Sequence, residues 1–201
     1  MQTAHLARIR SLFPALERQE QGRPVAYFDG PAGSQVPQPV IDAVGRYLEY
    51  TNANCGAPIG TSRETDALLQ HARETLGAFV GTDLPEEIVF GANMTSLTFA
   101  VSRALSRTWQ TGDEIIVSQL DHDANVTPWV LAAQRAGATV RHIPLAADGV
   151  TLDQTVYQSL LCQRTRLVAL GYASNAIGTV NPVRGMISAA RNLGALTYID
   201  A

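Results

Sequence analysis

Asp121, His122 and Asp123 adjoin within the stretch Ser118–Trp129. An imidazole between carboxylates can stack on a flat ring, shuttle a proton or bind a metal. A metal site wants three or four ligands. His5, His71 and His142 show no spacing that would add them, so no metal is expected. The plainer alternative is a loop histidine with a helix-capping Asp behind it. A second constellation is Gly91–Ser96, where Asn93, Met94 and Thr95 join a strand to a helix. The unpaired N–H groups and dipole of a helix start suit a phosphate; ordinary capping by Asn93 or Thr95 is the alternative. It is not a Gly-Lys-[Ser/Thr] loop, and no G-x-G-x-x-G follows any strand. A third is Asn175 in the run Ser174–Pro182. A buried amide there can donate to a phenolic oxygen, or the run is a simple turn. The fourth is Asp200, behind the apolar run Leu196–Ile199. A carboxylate so placed can hold a cationic ring nitrogen and keep it protonated, or it simply ends a strand.

Each constellation needs a strand to deliver it. Ile88–Phe90, Glu114–Ser118, Thr139–Ile143, Leu167–Gly171 and Leu196–Ile199 are apolar runs that read as strands. Between them lie helical patterns at Leu97–Leu105, Val130–Ala136, Asp153–Leu161 and Gly185–Leu193. Such alternation predicts a largely parallel α/β sheet, and ligands of open α/β sheets bind at the carboxyl ends of the strands. Upstream, Leu6–Glu20 reads as a helix with Pro14 inside it. Tyr27 and Phe28 make a short strand candidate, and Pro39 opens a helix carrying Val40, Ile41, Val44, Tyr47 and Leu48. Ser62 is placed to cap the next helix, whose expected core face is Leu68, Leu69, Ala72, Leu76 and Phe79. Gly81 ends it.

The chain has 201 residues, 46% of them apolar and 16% charged, with a net charge of −3. This is the composition of a folded protein, and it argues against nucleic-acid or membrane surfaces as partners. All 15 basic side chains are arginines, so the chain has no lysine. Cys55 and Cys162 make no disulfide framework. The N-terminus lacks the apolar core of a secretory signal, so a cytoplasmic location is expected. Asp200 and Ala201 fall where a strand gives out and a loop ought to begin, so the sequence reads as a fragment or truncated gene product.

In order, phosphate seat, stacking histidine, asparagine and aspartate make a set that resembles the class V aminotransferase family of pyridoxal-phosphate (PLP) enzymes. Its cysteine desulfurase-like branch is most similar. The resemblance runs from about Tyr27 to Ala201 and rests on three stretches: Asp121–Asn125 with Pro128 and Trp129; Ser174 and Asn175 with Gly178–Pro182; and Tyr198–Ala201. It implies a fold-type I large domain, an α/β/α sandwich incomplete at its C-terminus. Residues 1–30 would be an N-terminal segment and 31–201 the PLP-binding domain. Asn93, Met94 and Thr95 would hold the phosphate, His122 would stack on the ring and assist proton transfer, and Asn175 would contact the ring hydroxyl. Asp200 would pair with the ring nitrogen, and Ala32, Gly33 and Ser34 match the loop over the substrate.

The resemblance further implies an amino-acid substrate, Cα carbanion chemistry and a homodimer. Its Schiff-base lysine and mobile cysteine lie downstream of the position of Asp200, so they are not in this sequence. The alternative is a non-catalytic remnant that binds PLP weakly or pairs with another subunit. The phosphate loop departs from the usual Gly-Thr-Thr-Glu, keeping one hydroxyl at Thr95, and Asp123 stands where one desulfurase group has a second histidine. Cys55 lies upstream of where the family's sulfur acceptor comes from, and Cys162 is expected in the core. In the family's sheet the first strand, here Ile88–Phe90, pairs with a last strand this sequence does not contain. The other four are therefore expected to form a continuous sheet and to leave Ile88–Phe90 unpaired.

Overall fold

The computed structural model describes residues 2–201 and divides into two compact units, Met1–Phe90 and Gly91–Ala201. Met1 of the expected N-terminal segment and the Ala32 side chain of the expected substrate loop lie outside the description.

The second unit is a four-stranded parallel sheet in the order β4-β3-β5-β6. Its strands are β3 (Glu114–Ser118), β4 (Thr139–Ile143), β5 (Thr165–Gly171) and β6 (Leu196–Asp200). Strands covered on both faces lose the polar alternation of a half-exposed sheet, and the central strands β3 and β5 do so: Ile115, Ile116, Val117, Val168, Ala169 and Leu170 are fully buried. Burying each large aliphatic side chain contributes about 1.5–3 kcal/mol, as an upper bound. Successive residues face opposite sides. Ile115, Val117, Leu167 and Ala169 pack with Trp129, Ala132 and Ala133 of α5 (Thr127–Ala136) and with Val101 and Leu105 of α4 (Met94–Leu105). Ile116, Val168 and Leu170 pack with Tyr157 of α6 (Gln154–Leu160) and with Met186 and Ala190 of α7 (Val183–Arg191). Helices thus cover both faces of the sheet.

Local chemistry sets the helix ends. Asp153 caps α6 by accepting the Thr155 and Val156 amides at 2.9 and 3.0 Å. Gly137 closes α5 with a left-handed φ of 73° that a side chain would strain. The amino ends of β3 and β5 are clamped by charge. Glu114 takes Arg164 at 2.6 Å and Arg141 at 3.2 Å, while Asp113 takes Arg166 at 2.7 Å. Hydrogen bonds from Arg164 and then Arg141 hold the Glu114 carboxyl below its ordinary range, against the opposing effect of burial.

Ile88–Phe90 is not a strand; it pairs with none among the described residues, and Val89 and Phe90 are exposed. The four remaining strands form one sheet as expected, and Ile88–Phe90 lacks a strand partner as expected, but its own strand character is not realised. The reason is the same as before, since an extended segment without a hydrogen-bonding neighbour cannot close a ladder.

The first unit corrects several expectations. The helix expected over Leu6–Glu20 ends at Arg10, as α1 (Gln2–Arg10), followed by a 3-10 turn at Pro14–Glu17. Pro14 has no N–H and cannot continue a helix. Tyr27 and Phe28, expected as a short strand, are irregular; an unforeseen hairpin precedes them at β1 (Gln19–Glu20) and β2 (Arg23–Pro24). Gln21 and Gly22, with φ of 50° and 72°, form its tight turn. α2 (Gln38–Arg46) starts one residue ahead of Pro39, its expected first residue, and runs into a π turn at Tyr47–Thr51. α3 (Gly60–Val80) begins before Ser62, which is not its cap. Instead the buried Ser62 hydroxyl donates to Asn54 O at 2.6 Å and accepts from the Ala57 amide at 2.8 Å, tying down the Gly-rich loop. Gly81 ends α3 with φ 84°. The expected core face of α3 is open instead: Leu68, Leu76 and Phe79 are exposed, and its buried residues are Ser62, Thr65 and Gly77. No helix among the described residues is long and apolar enough to cross a membrane.

Candidate functional site

The residues expected to hold the cofactor all lie in the second unit, whereas Gly33 and Ser34 of the expected substrate loop belong to the first. Asn93 is the N-cap of α4; its side chain accepts the Ser96 amide at 2.8 Å and its carbonyl accepts the Leu97 amide at 3.2 Å. The capping alternative for Asn93 is therefore what its side chain does. The amides of Met94 and Thr95 and the Thr95 hydroxyl keep no partner among the described residues. They form an open donor set at the positive end of a helix. One turn on, the buried Thr98 hydroxyl contacts Tyr198 Oη of β6 at 3.0 Å and donates to Met94 O at 3.0 Å. This contact holds the start of α4 against β6, two residues before Asp200.

β3 ends at Ser118, and the chain turns through Asp121 and His122 into a 3-10 turn at Asp123–Asn125. His122 is exposed, and its Nδ1 accepts the Ala124 amide at 3.1 Å. That bond fixes the ring's orientation and leaves the proton of the neutral ring on Nε2. Asp123 does not cap α5 through a backbone amide; its Oδ1 accepts the Thr127 hydroxyl at 2.7 Å. Asp121 is the half-buried carboxylate behind the histidine. Its Oδ2 accepts the Ser118 hydroxyl, and its Oδ1 accepts Asn125 Nδ2 at 2.6 Å. Asn125, fully buried, in turn accepts the Trp129 indole N–H at 3.0 Å. The Trp129 ring meets Tyr198 edge-on, with centroids 4.9 Å apart. A continuous relay thus runs from Asp121 through Asn125 and Trp129 to Tyr198 and Thr98. Burial pushes the Asp121 carboxyl up and the nearby Asp200 charge adds to this; Ser118, Asn125 and the Gly171 amide oppose it without reversing it.

Asp200 ends β6, in register with Gly171 of β5. Residues opposite one another on neighbouring strands share a face. A Cβ on Gly171 would lie 3.2 Å from Asp121 Oδ1. The missing side chain of Gly171 therefore makes room for Asp121 on the face that carries Tyr198 and Asp200. The start of α4, the Asp121–His122 loop and Asp200 come together on that face, at the carboxyl ends of β3, β5 and β6.

Asn175 is different. It is exposed, in a loop that leaves the carboxyl end of β5, with no hydrogen bond to its side chain among the described residues. The buried asparagine of that run is Asn181, whose Nδ2 donates to Gly171 O at 2.8 Å while its Oδ1 has no partner among the described residues. Cys162 is half-buried beyond the end of α6 and is not a core residue, and Cys55 is exposed. No metal-binding cluster occurs among the described residues. The relay through Asn125, Trp129 and Gly171 was not foreseen from the sequence. The i, i+4 spacings Asp121–Asn125–Trp129 are its only trace there.

The family model for class-V aminotransferases matches residues 26–201. A cysteine desulfurase of Pectobacterium carotovorum is 37% identical over 197 residues, covering 97% of this chain and 48% of the relative. The apo structure of a cysteine desulfurase from Thermococcus onnurineus superposes with a TM-score of 0.87 at 26% identity, over 97% of this chain and 47% of that one. The S-sulfonic acid form of a cysteine desulfurase from Escherichia coli gives 0.81 at 28% identity, over 96% and 47%. The chain spans about half the length of the curated relatives it matches. With the matched region covering most of its residues, the chain belongs to the class-V aminotransferase family.

Proposed function

We propose that this chain carries the cofactor-holding part of a PLP-dependent enzyme of the cysteine desulfurase kind, acting on an amino acid. The observation that supports this is the gathering, on one sheet face, of an open helix start, an oriented histidine and a strand-end carboxylate. The donor set fits the group. The free amides of Met94 and Thr95, with the Thr95 hydroxyl, suit a phosphate; among the described residues Asp200 forms no salt bridge and suits a cationic ring nitrogen. His122 would lie over the ring, with Nε2 carrying the proton it exchanges. Asn175, from its exposed loop, would reach the ring hydroxyl. When bound, the cofactor supplies an electron sink for the electron pair released at the substrate Cα. The chain's own residues bind it, orient it and keep the carboxylate of Asp200 opposite its ring nitrogen. Domain 31–201, a cytoplasmic location and a homodimer belong to the same reading.

A second reading has its own support: the sequence has no lysine, so on its own this polypeptide would bind PLP without forming a Schiff base on a side chain. The two make different predictions for titration of the 201-residue chain with PLP by equilibrium dialysis and absorbance. Saturable binding that weakens in His122→Ala is expected. No saturable binding refutes the cofactor site. Borohydride trapping of a pyridoxyl group on a side chain of this chain would refute the lysine argument.

A further inference from the structure

We propose that Asp121 is a positioning residue of this site. Its carboxylate, seated against Gly171 and Asn125, supplies a second negative charge beside Asp200, so that the pair rather than Asp200 alone holds a cationic ring nitrogen. This rests on the cofactor reading above and goes beyond it, since that reading gives Asp121 no part.

The geometry carries the argument in three steps. First, the position of Asp121 is built. The Ser118 hydroxyl and Asn125 amide donate to its two oxygens, and Trp129 locks Asn125 from behind. Second, the absence of a side chain at Gly171 leaves room for it. Gly171 is the β5 residue in register with Asp200, and any side chain there would crowd Asp121 Oδ1 from 3.2 Å. Third, neither carboxylate has a cationic partner among the described residues. The other titratable groups on the elements around them are His122 and Asp123 on the same loop, Tyr172 at the end of β5 and Tyr198 on β6. None of these carries a fixed positive charge. Two neighbouring carboxylates without a cation repel each other. A cation arriving between them relieves that repulsion, and one charge at the distance of a neighbouring strand is worth about three- to tenfold in affinity in a partly wet site.

The test uses the 201-residue chain with pyridoxamine 5′-phosphate as probe. The wild-type chain is expected to bind about three- to tenfold more tightly than Asp121→Asn near neutral pH. The ratio should shrink toward one as the pH falls, because burial raises the Asp121 carboxyl and it takes up its proton ahead of an ordinary aspartate. Taking the ratio cancels titration of the probe itself. A role in folding alone would give a ratio that does not change with pH, and that result overturns the proposal. A ratio near one at all pH values overturns it too. A ligand-free measurement guards against a variant that folds poorly. Carboxyl-carbon NMR of the wild type should show Asp121 titrating above the ordinary Asp range, and lower in Asp200→Asn. If Asp200→Asn leaves the Asp121 titration in place, the two are not coupled and the proposal fails. Failure of the wild-type chain to bind the probe would instead refute the cofactor reading and this inference with it. A defect confined to Asp121→Asn cannot be mistaken for that.

Discussion

Replacing Trp129 with Phe tests the relay at its most buried link. Trp129 is fully buried and donates to Asn125 Oδ1 at 3.0 Å, and Asn125 is itself fully buried. The phenyl ring keeps most of the edge contact with Tyr198 but removes the indole N–H and the far part of the ring. The lost apolar surface is worth about two methylene groups, near 1.5 kcal/mol together. The orphaned Asn125 oxygen adds about 1–3 kcal/mol, because water does not reach it. We expect Trp129→Phe to lower unfolding free energy by about 2.5–4.5 kcal/mol, a large share of the ~5–15 kcal/mol of a typical domain. Urea unfolding followed by far-ultraviolet circular dichroism measures it, with the slope checked for constancy. A double-mutant cycle with Asn125→Ala isolates the indole–amide link. A loss below about 1 kcal/mol, or single costs that add within about 0.5 kcal/mol, would show that the relay is a row of neighbours and not a coupled structure.

Acid should attack the other end of the sheet. The Glu114 carboxyl is lowered by Arg164 and Arg141; at Asp113 burial pushes upward but is outweighed by hydrogen bonds from Arg166 and the Gln110 amide. Both groups bind protons more weakly folded than unfolded, so their stabilisation is full above the unfolded carboxylate range, near pH 4, and is lost as pH falls through the lowered folded values. Glu114→Gln should therefore flatten the acid limb of a stability–pH curve; an unchanged limb would refute the clamp. Asp121 has the opposite sign, because its folded carboxyl is raised and its charged form costs stability above that range. Asp121→Asn should melt at the same temperature as the wild type or higher at neutral pH, and a drop of several degrees by calorimetry would contradict this. Finally, Phe28, Phe79 and Val89 are 95%, 85% and 68% exposed, and Ile88–Phe90 pairs with no strand among the described residues. Light scattering after size exclusion should find the 201-residue chain self-associated, and a clean monomer would count against that.

The sheet was legible because its signals are local. Ile115–Val117 and Leu167–Leu170 are apolar runs between turn formers, and both became fully covered strands. The helix start at Asn93 and the strand end at Asp200 could be placed from the same punctuation. What the sequence hid was set by tertiary partners. Ser62 looks like a cap because serine caps helices, but its hydroxyl serves a distant loop. Leu68 and Phe79 have core spacing, yet spacing says only which residues share a face, not whether anything covers it. The asparagine expected to be buried at position 175 is exposed, and its neighbour in sequence Asn181 is buried, because only the latter meets the Gly171 carbonyl. The seat of Asp121 depends on Gly171, 50 residues downstream, and no pattern in one segment can announce such a vacancy.

Trp129 also makes the protein its own optical probe. There are two tryptophans in the chain; Trp109 shares the core cluster of Trp129 but makes no hydrogen bond in the relay. An indole sealed from water emits at the blue end of its range, and its quantum yield is sensitive to the polarity of what its N–H touches. Because Asn125 bridges that N–H to Asp121, the emission of Trp129 should respond when the carboxyl loses its proton. It should be quenched by energy transfer when a chromophore absorbing near 330–400 nm, roughly the range overlapping indole emission, settles on the same sheet face. Site occupancy could then be followed in dilute solution, in real time and without any label.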